Sequence, residues 1–193
     1  MSKFNRLYNY VENYSSLFNG DVNRRICSKY SGNLFAYAIR KYIMDIFKKN
    51  KIKLKVSYNN SFIKGNPIEY DLLIVKKLKK SNLYEYEDVV CGIELKAGGH
   101  VGSQRNYDEI YDKFKHAKKL KKMLYISIYD QTRRIKELEQ VYDSIFIWNR
   151  PGKYTKYKSY IGRKDEKEFR NYIQTNPDIE ESFEKWILEN VIK

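Results

Sequence analysis

The chain has 193 residues, of which 42% are hydrophobic and 32% charged, enough for one folded globular domain with a proper core and too apolar for a disordered segment. Its 38 Lys and Arg outnumber 24 Asp and Glu, a net charge of +14. Such a surplus points to a polyanionic partner, nucleic acid first, although a lysine-rich solvated surface has the same composition. No run nears the roughly 18 apolar residues of a membrane span, no apolar leader-like stretch follows Met1, and Cys27 and Cys91 are too few for a disulfide framework. The expectation is an intracellular protein with no membrane partner.

Phe4, Leu7, Tyr8, Val11, Tyr14 and Leu17 recur at helical spacing over 4–18, and Asn19-Gly20-Asp21 ends that helix. Ser31 reads as the N-cap of a second helix that runs to about Lys49 and turns Leu34, Phe35, Ala38, Ile39, Tyr42, Ile43 and Ile46 inward. Residues 51–58 alternate strictly, with Lys51, Lys53 and Lys55 opposite Ile52, Leu54 and Val56, as in a half-buried strand. The lysine face suits a phosphate backbone, and equally suits solvent or protection of a sheet edge.

Turns at Tyr58–Ser61 and Gly65-Asn66-Pro67 lead into an apolar strand, Ile68 to Val75, that contains Asp71. A basic loop, Lys76 to Asn82, precedes a second strand, Val89 to Lys96, that contains Glu94 and Lys96. A glycine-rich turn at 98–102 follows, then a helix over 103–120 with Tyr107, Ile110, Tyr111, Phe114 and Ala117 inward. Met123 to Ile128 and Ser144 to Trp148 are two more strands, with a helix over 131–142 between them. Tyr154 to Tyr160 mixes aromatics with Lys156 and Lys158, a pattern that can stack bases and meet phosphate but also fits an ordinary exposed strand. Helices over 164–174 and 178–191 close the chain; Phe183, Trp186, Ile187 and Val191 form a core stripe or a dimer contact. Alternating strands and helices make an α/β layer fold.

Three ionic residues inside the apolar strands carry the chemical argument, because buried charge is costly unless paired or bound to metal. Strand alternation puts Glu94 and Lys96 on one side with Leu95 opposite. If the two strands pair, Asp71 and Glu94 converge. Paired carboxylates are hard oxygen ligands suited to Mg²⁺ or Mn²⁺. A neighbouring amine can hold an attacking water and offset charge at a phosphate. Glu-x-Lys alone means little: Asp165-Glu166-Lys167 repeats the spacing in a polar segment without apolar flanks. An ordinary ion pair on a solvent-facing strand is the plain alternative.

The succession Pro67…Asp71, Ile93-Glu94-Leu95-Lys96, glycine turn, and helix with Gln104 and Tyr107 resembles the PD-(D/E)XK nuclease superfamily, the restriction-endonuclease-like fold. That resemblance covers about residues 31–128 of a single nuclease domain spanning 1–193, with 129–193 as C-terminal decoration. It implies a central mixed β-sheet flanked by helices, with extra N- and C-terminal helices. It implies Asp71 and Glu94 as metal ligands with the Leu95 carbonyl as a further one, Lys96 serving the water, and Gln104 aimed at the metal or the phosphate. Two features depart from the pattern. Pro67 stands four residues before Asp71 instead of adjacent to it, and the first core helix has Asn33, Phe35 and Ala36 where a Glu is common. Glu12, Asp45 and Glu69 are the acids that could fill that place.

The resulting expectation is a Mg²⁺-dependent endonuclease, with Mn²⁺ as a substitute, that hydrolyses phosphodiester bonds, DNA being the favoured substrate. RNA or branched DNA on the same fold is one alternative, and a basic nucleic-acid-binding module without hydrolysis is the other. Cutting both strands would need two active sites, which a homodimer would supply. Lys53, Lys55, His100, Arg105, Lys156 and Lys158 are candidate nucleic-acid contacts, although His100 also suits a plain loop and His116 reads as surface. No phosphate-binding P-loop or acyl-transfer elbow is present.

Overall fold

The computed structural model describes residues 24–96, 108, 120–129, 141–149 and 178–192. The glycine turn, Gln104, His100, Arg105, His116, Lys156, Lys158 and Glu12 lie outside them, as do the expected helices over 4–18, 131–140 and 164–174. Of the expected helix over 103–120, Asp108 and Leu120 are described; Asp108 is helical, whereas Leu120 lies in a bend and is not part of the helix.

The first described element is a helix, Arg24–Lys49. Phe35, Ala36, Ile39, Tyr42, Ile43, Ile46 and Phe47 recur three and four residues apart and are buried. The expected start at Ser31 is too late. Ser31 lies inside the helix, which begins about two turns earlier, because a serine caps only where the preceding backbone leaves helical geometry. The C-terminal end is sharper. Lys51 takes φ 56°, its amide donates to the Lys48 carbonyl, and the Ile52 amide donates to the Phe47 carbonyl. That pair of bonds is a Schellman motif, here with lysine at the left-handed position instead of glycine.

Among the described residues eight strands follow: β1 (Lys55–Val56), β2 (Ser61–Ile63), β3 (Glu69–Tyr70), β4 (Leu72–Val75), β5 (Leu83–Tyr84), β6 (Val89–Lys96), β7 (Met123–Tyr129) and β8 (Ser144–Asn149). A 3-10 turn, Tyr86–Asp88, precedes β6. A helix over Asp178–Asn190 ends the described chain. The strands form two sheets. The larger has the order β1-β4-β6-β7-β8, and the smaller β3-β2-β5. In the larger sheet β1 with β4 and β4 with β6 are antiparallel, whereas β6 with β7 and β7 with β8 are parallel. The chain is therefore α/β with a mixed central sheet, as expected.

Two apolar cores sit on opposite faces of that sheet. One joins Leu72, Ile74, Cys91, Ile93, Leu95, Leu124 and Ile126 to the long helix. Phe183 and Ile187 of the last helix and Val191 just after it complete it, and the Phe183 ring meets Phe146 edge-on at 5.1 Å and Tyr42 at 5.7 Å. The Phe183 stripe is thus core. The other core gathers Leu73, Val75, Met123 and Tyr125 with Tyr70 and Tyr84 of the small sheet and with Val141 and Tyr142. Residue parity along β4, β6 and β7 places Asp71, Glu94 and Lys96 on this second face.

Three expectations need correction. The strand Ile68 to Val75 is interrupted. Its first part belongs to the small sheet as β3 and its second to the large sheet as β4, with Asp71 at a bend between them. The strand over 51–58 is hydrogen-bonded only at Lys55–Val56, although Lys51, Lys53 and Lys55 are exposed as the alternation requires. The helix over 131–142 does not include its last two residues, since Val141 is in a turn and Tyr142 in a bend.

Candidate active site

The site lies at one end of the large sheet, where β1 finishes, β4 begins and β6 finishes. The register Val56 with Ile74 and Leu72 with Ile93 brings these three ends together. Side chains complete the ladders there. Ser57 Oγ accepts from the Leu73 amide at 2.8 Å, and Asp71 Oδ2 accepts from the Leu95 amide at 2.7 Å. A bent backbone at Asp71 would leave the Leu95 amide without its strand partner, so the carboxylate supplies the acceptor.

Continuing the Leu72–Ile93 register by one residue sets Asp71 across from Glu94. Glu94 is almost wholly buried, its side chain 2% exposed, and Lys96 Nζ lies 2.6 Å from its Oε1. Burying a lone carboxylate costs several kcal/mol, on the order of what the ammonium partner recovers. Lys96 keeps about a third of its side chain in solvent, so its head bridges the buried carboxylate and the outside. A strand residue directs its N–H and C=O to the same neighbour. The Leu95 carbonyl therefore points to the side on which Asp71 holds the Leu95 amide.

Tyr125 pairs with Glu94, and Ser127 with Lys96, across the parallel β6–β7 ladder. The Tyr142 ring packs 5.5 Å from the Tyr125 ring, and its buried hydroxyl has no hydrogen-bond partner among the described residues. Burial first, then the Glu94 charge, pushes the Tyr142 phenol well above its ordinary range; Tyr125, Asp71 and Tyr70 add to the effect. Tyr142 was not singled out in the sequence because it arrives from another strand connection. Ser127 had one signal, a lone hydroxyl two residues after Tyr125, in step with Glu94 and Lys96.

The structure thus brings Asp71, Glu94, Lys96 and the Leu95 main chain together. Gln104 lies outside the described residues. Of the acids considered for a further ligand, Asp45 is on the long helix, which packs against the opposite face of the sheet, and Glu69 is exposed on β3. Among the described residues no three His, Cys, Asp or Glu side chains are grouped to hold a metal. Two carboxylates and a main-chain carbonyl nonetheless form an all-oxygen donor set, which fits a hard cation that keeps part of its water shell. Lys53 and Lys55 are away from this end. Lys55 stands opposite Val75, four residues along from Asp71, or roughly 13 Å at the rise of a strand.

No family model, no curated protein and no solved structure matches the chain. Among the described residues no helix is long and apolar enough to cross a membrane.

Proposed function

We propose that the chain is a metal-dependent endonuclease of the PD-(D/E)XK kind, with Asp71, Glu94 and Lys96 as its active site and DNA as the favoured substrate. The observation that carries this reading is the Asp71–Glu94–Lys96 cluster. Two carboxylates and an amine meet at one end of a mixed sheet, and one carboxylate is buried against that amine at 2.6 Å. A structural ion pair would sit as well on the surface, without the burial cost. The sheet order, with three antiparallel strands followed by two parallel ones, supports the restriction-endonuclease-like reading.

Asp71, Glu94 and the Leu95 carbonyl would hold Mg²⁺ or Mn²⁺, which when bound lowers the pKa of water and withdraws charge from a phosphate oxygen. The chain's own residues do the rest. The Leu95 amide fixes one Asp71 oxygen and thereby the direction of the other. Glu94 anchors Lys96 Nζ, so the ammonium stays at the solvent-facing rim of the site. There it donates to the attacking water and to the phosphate oxygen on which negative charge builds, a stabilisation specific to the transition state. The surplus of basic residues draws the polyanion in. A homodimer would put two such sites on one duplex.

The test is cleavage of duplex DNA, single-stranded DNA, branched DNA and RNA with Mg²⁺, Mn²⁺ or EDTA, using wild type, Asp71→Asn, Glu94→Gln and Lys96→Met. Metal-dependent cutting lost in all three variants supports the assignment. Cutting that survives in all three removes it. The first core helix, with Asn33, Phe35 and Ala36 where a Glu is common, favours one further reading, a basic binding module without hydrolysis. Salt-sensitive binding with no cleavage in either metal would select it.

A further inference from the structure

A groove of about 370 Å³ opens between the long helix and the turn after β1. That volume falls within the range of about 300–1,000 Å³ typical of small-ligand sites. Tyr37 and Tyr58 stand at it, 62% and 55% exposed, and they are the two most exposed large hydrophobic side chains among the described residues. Exposed aromatic rings that flank a groove form a stacking surface for flat ligands.

Arg40 lies between them and is held rigidly. Its Nε donates to the Val56 and Ser57 carbonyls at 3.1 and 3.0 Å, and its guanidinium carbon sits 4.3 Å from the Tyr58 ring centre. The cation is thus fixed in orientation at the groove wall, stacked on one face of the Tyr58 ring. Asn33, Asn59 and Asn60 supply amide groups, and none of the residues that line the groove is acidic. Asn59 Nδ2 donates to Asn33 Oδ1 at 2.7 Å, and Asn59 Oδ1 is shielded and without a donor among the described residues.

Leu72 also lines the groove, and it is the residue next to Asp71. The groove and the candidate active site therefore lie on opposite faces of the same sheet end, one peptide unit apart along β4. Stacking rings, a fixed cation, amides, no carboxylate and an adjoining phosphate-handling site describe one ligand. We propose that the groove takes an unstacked base of a single-stranded nucleic-acid segment. On the nuclease reading above, the strand then passes round the sheet end toward Asp71, Glu94 and Lys96. The substrate class is then a strand with unpaired bases, such as a flap, a frayed end or a single strand, in preference to continuous duplex.

The probe is a fluorescent oligothymidylate of about 12 nucleotides, compared with oligouridylate, an abasic oligomer of the same length and a blunt duplex, all in EDTA at fixed salt. The wild type is expected to bind the base-bearing single strands roughly tenfold tighter than the abasic one, the scale of one lost stack. Tyr37→Ala and Tyr58→Ala should each weaken base-bearing binding toward the abasic value without changing abasic binding. Tyr37→Phe and Tyr58→Phe, which keep the rings, should bind as wild type. Oligodeoxyuridylate set beside the uridylate oligomer, the two differing in the 2′-hydroxyl alone, names the sugar by which of them binds tighter. Equal affinity for abasic and base-bearing strands, tighter binding of the blunt duplex, or alanine variants that bind thymidylate like wild type would each overturn the proposal. The two readings fail separately. Base-dependent binding without cleavage in any metal leaves the groove standing and removes the nuclease, whereas cleavage with base-independent binding does the reverse.

Discussion

The Leu95 amide donates to Asp71 Oδ2 at 2.7 Å, so the carboxylate completes the β4–β6 ladder while it stands beside Glu94. Structure and chemistry are separable at this residue. Asp71→Asn keeps an acceptor for the amide and should remain close to wild type in urea midpoint, yet lose cleavage. Asp71→Ala removes the acceptor and should cost about 1.5–3 kcal/mol besides. Urea unfolding and cleavage of both variants check this. An Asn variant that cuts normally would contradict the ligand role.

Glu94 and Lys96 should couple strongly. Lys96→Met leaves a buried carboxylate without its cation and is expected to destabilise by about 3 kcal/mol, the low end for broken buried pairs because Lys96 is partly in water. Glu94→Gln in the same chain should recover most of that loss. A double-mutant cycle in urea reads the coupling, which should exceed about 1 kcal/mol. Additive losses would mean that the pair contributes nothing to the fold.

Alkaline conditions should weaken the protein. Burial raises the Tyr42, Tyr70 and Tyr142 phenols from an ordinary value of 10.0, and the Cys91 thiol from 9.0. Each group holds its proton longer when folded than when unfolded. Its contribution to stability is whole below the unfolded value and is lost as pH rises toward the folded one. Stability should therefore fall from about pH 9 upward, by up to about 1.4 kcal/mol per pH unit for each group. Urea midpoints between neutral pH and about pH 11 measure the slope, and Tyr142→Phe should flatten it. That variant also removes a buried hydroxyl without a partner among the described residues, so it should gain about 1 kcal/mol at neutral pH.

Gly92 is fixed by space. A Cβ there would lie 2.5 Å from Met123 Sδ and 2.9 Å from Leu120 Cδ1, on the face that carries Glu94. Gly92→Ala should cost about 1–3 kcal/mol by overpacking, and Gly92→Val more. The flexible methionine sets the lower bound, so Met123→Ala in the same chain should relieve part of the loss. Thermal or urea unfolding of the single and double variants decides it.

The core strands were legible because their apolar runs are continuous. Val89 to Lys96 matches β6 from end to end, and the runs at Met123 and Ser144 match β7 and β8 within a residue. The carboxylate and amine positions followed from parity alone, since a period of two needs no tertiary information. The small sheet was not legible. β2, β3 and β5 are two or three residues long and depend on partners far along the chain, such as the Phe62–Leu83 pairing. Ser31 misled for a related reason. Capping is a preference that a long run of helix-compatible residues overrides. Tyr142 and the Tyr37–Arg40–Tyr58 groove are products of assembly, built from segments whose local patterns carry no mark of each other.

The division of one extended segment between two sheets has a temporal consequence. Glu69 and Tyr70 are fastened to β2, Leu72 onward to β1 and β6, and Asp71 is the single joint between them. Neither sheet alone sets the direction of its carboxylate. During synthesis, β6 must emerge before the Leu95 amide exists to receive Asp71, and β5 before the small sheet is whole. The Asp71–Leu95 contact therefore needs a chain that reaches Leu95, and a nascent chain that ends before it holds Asp71 without that partner.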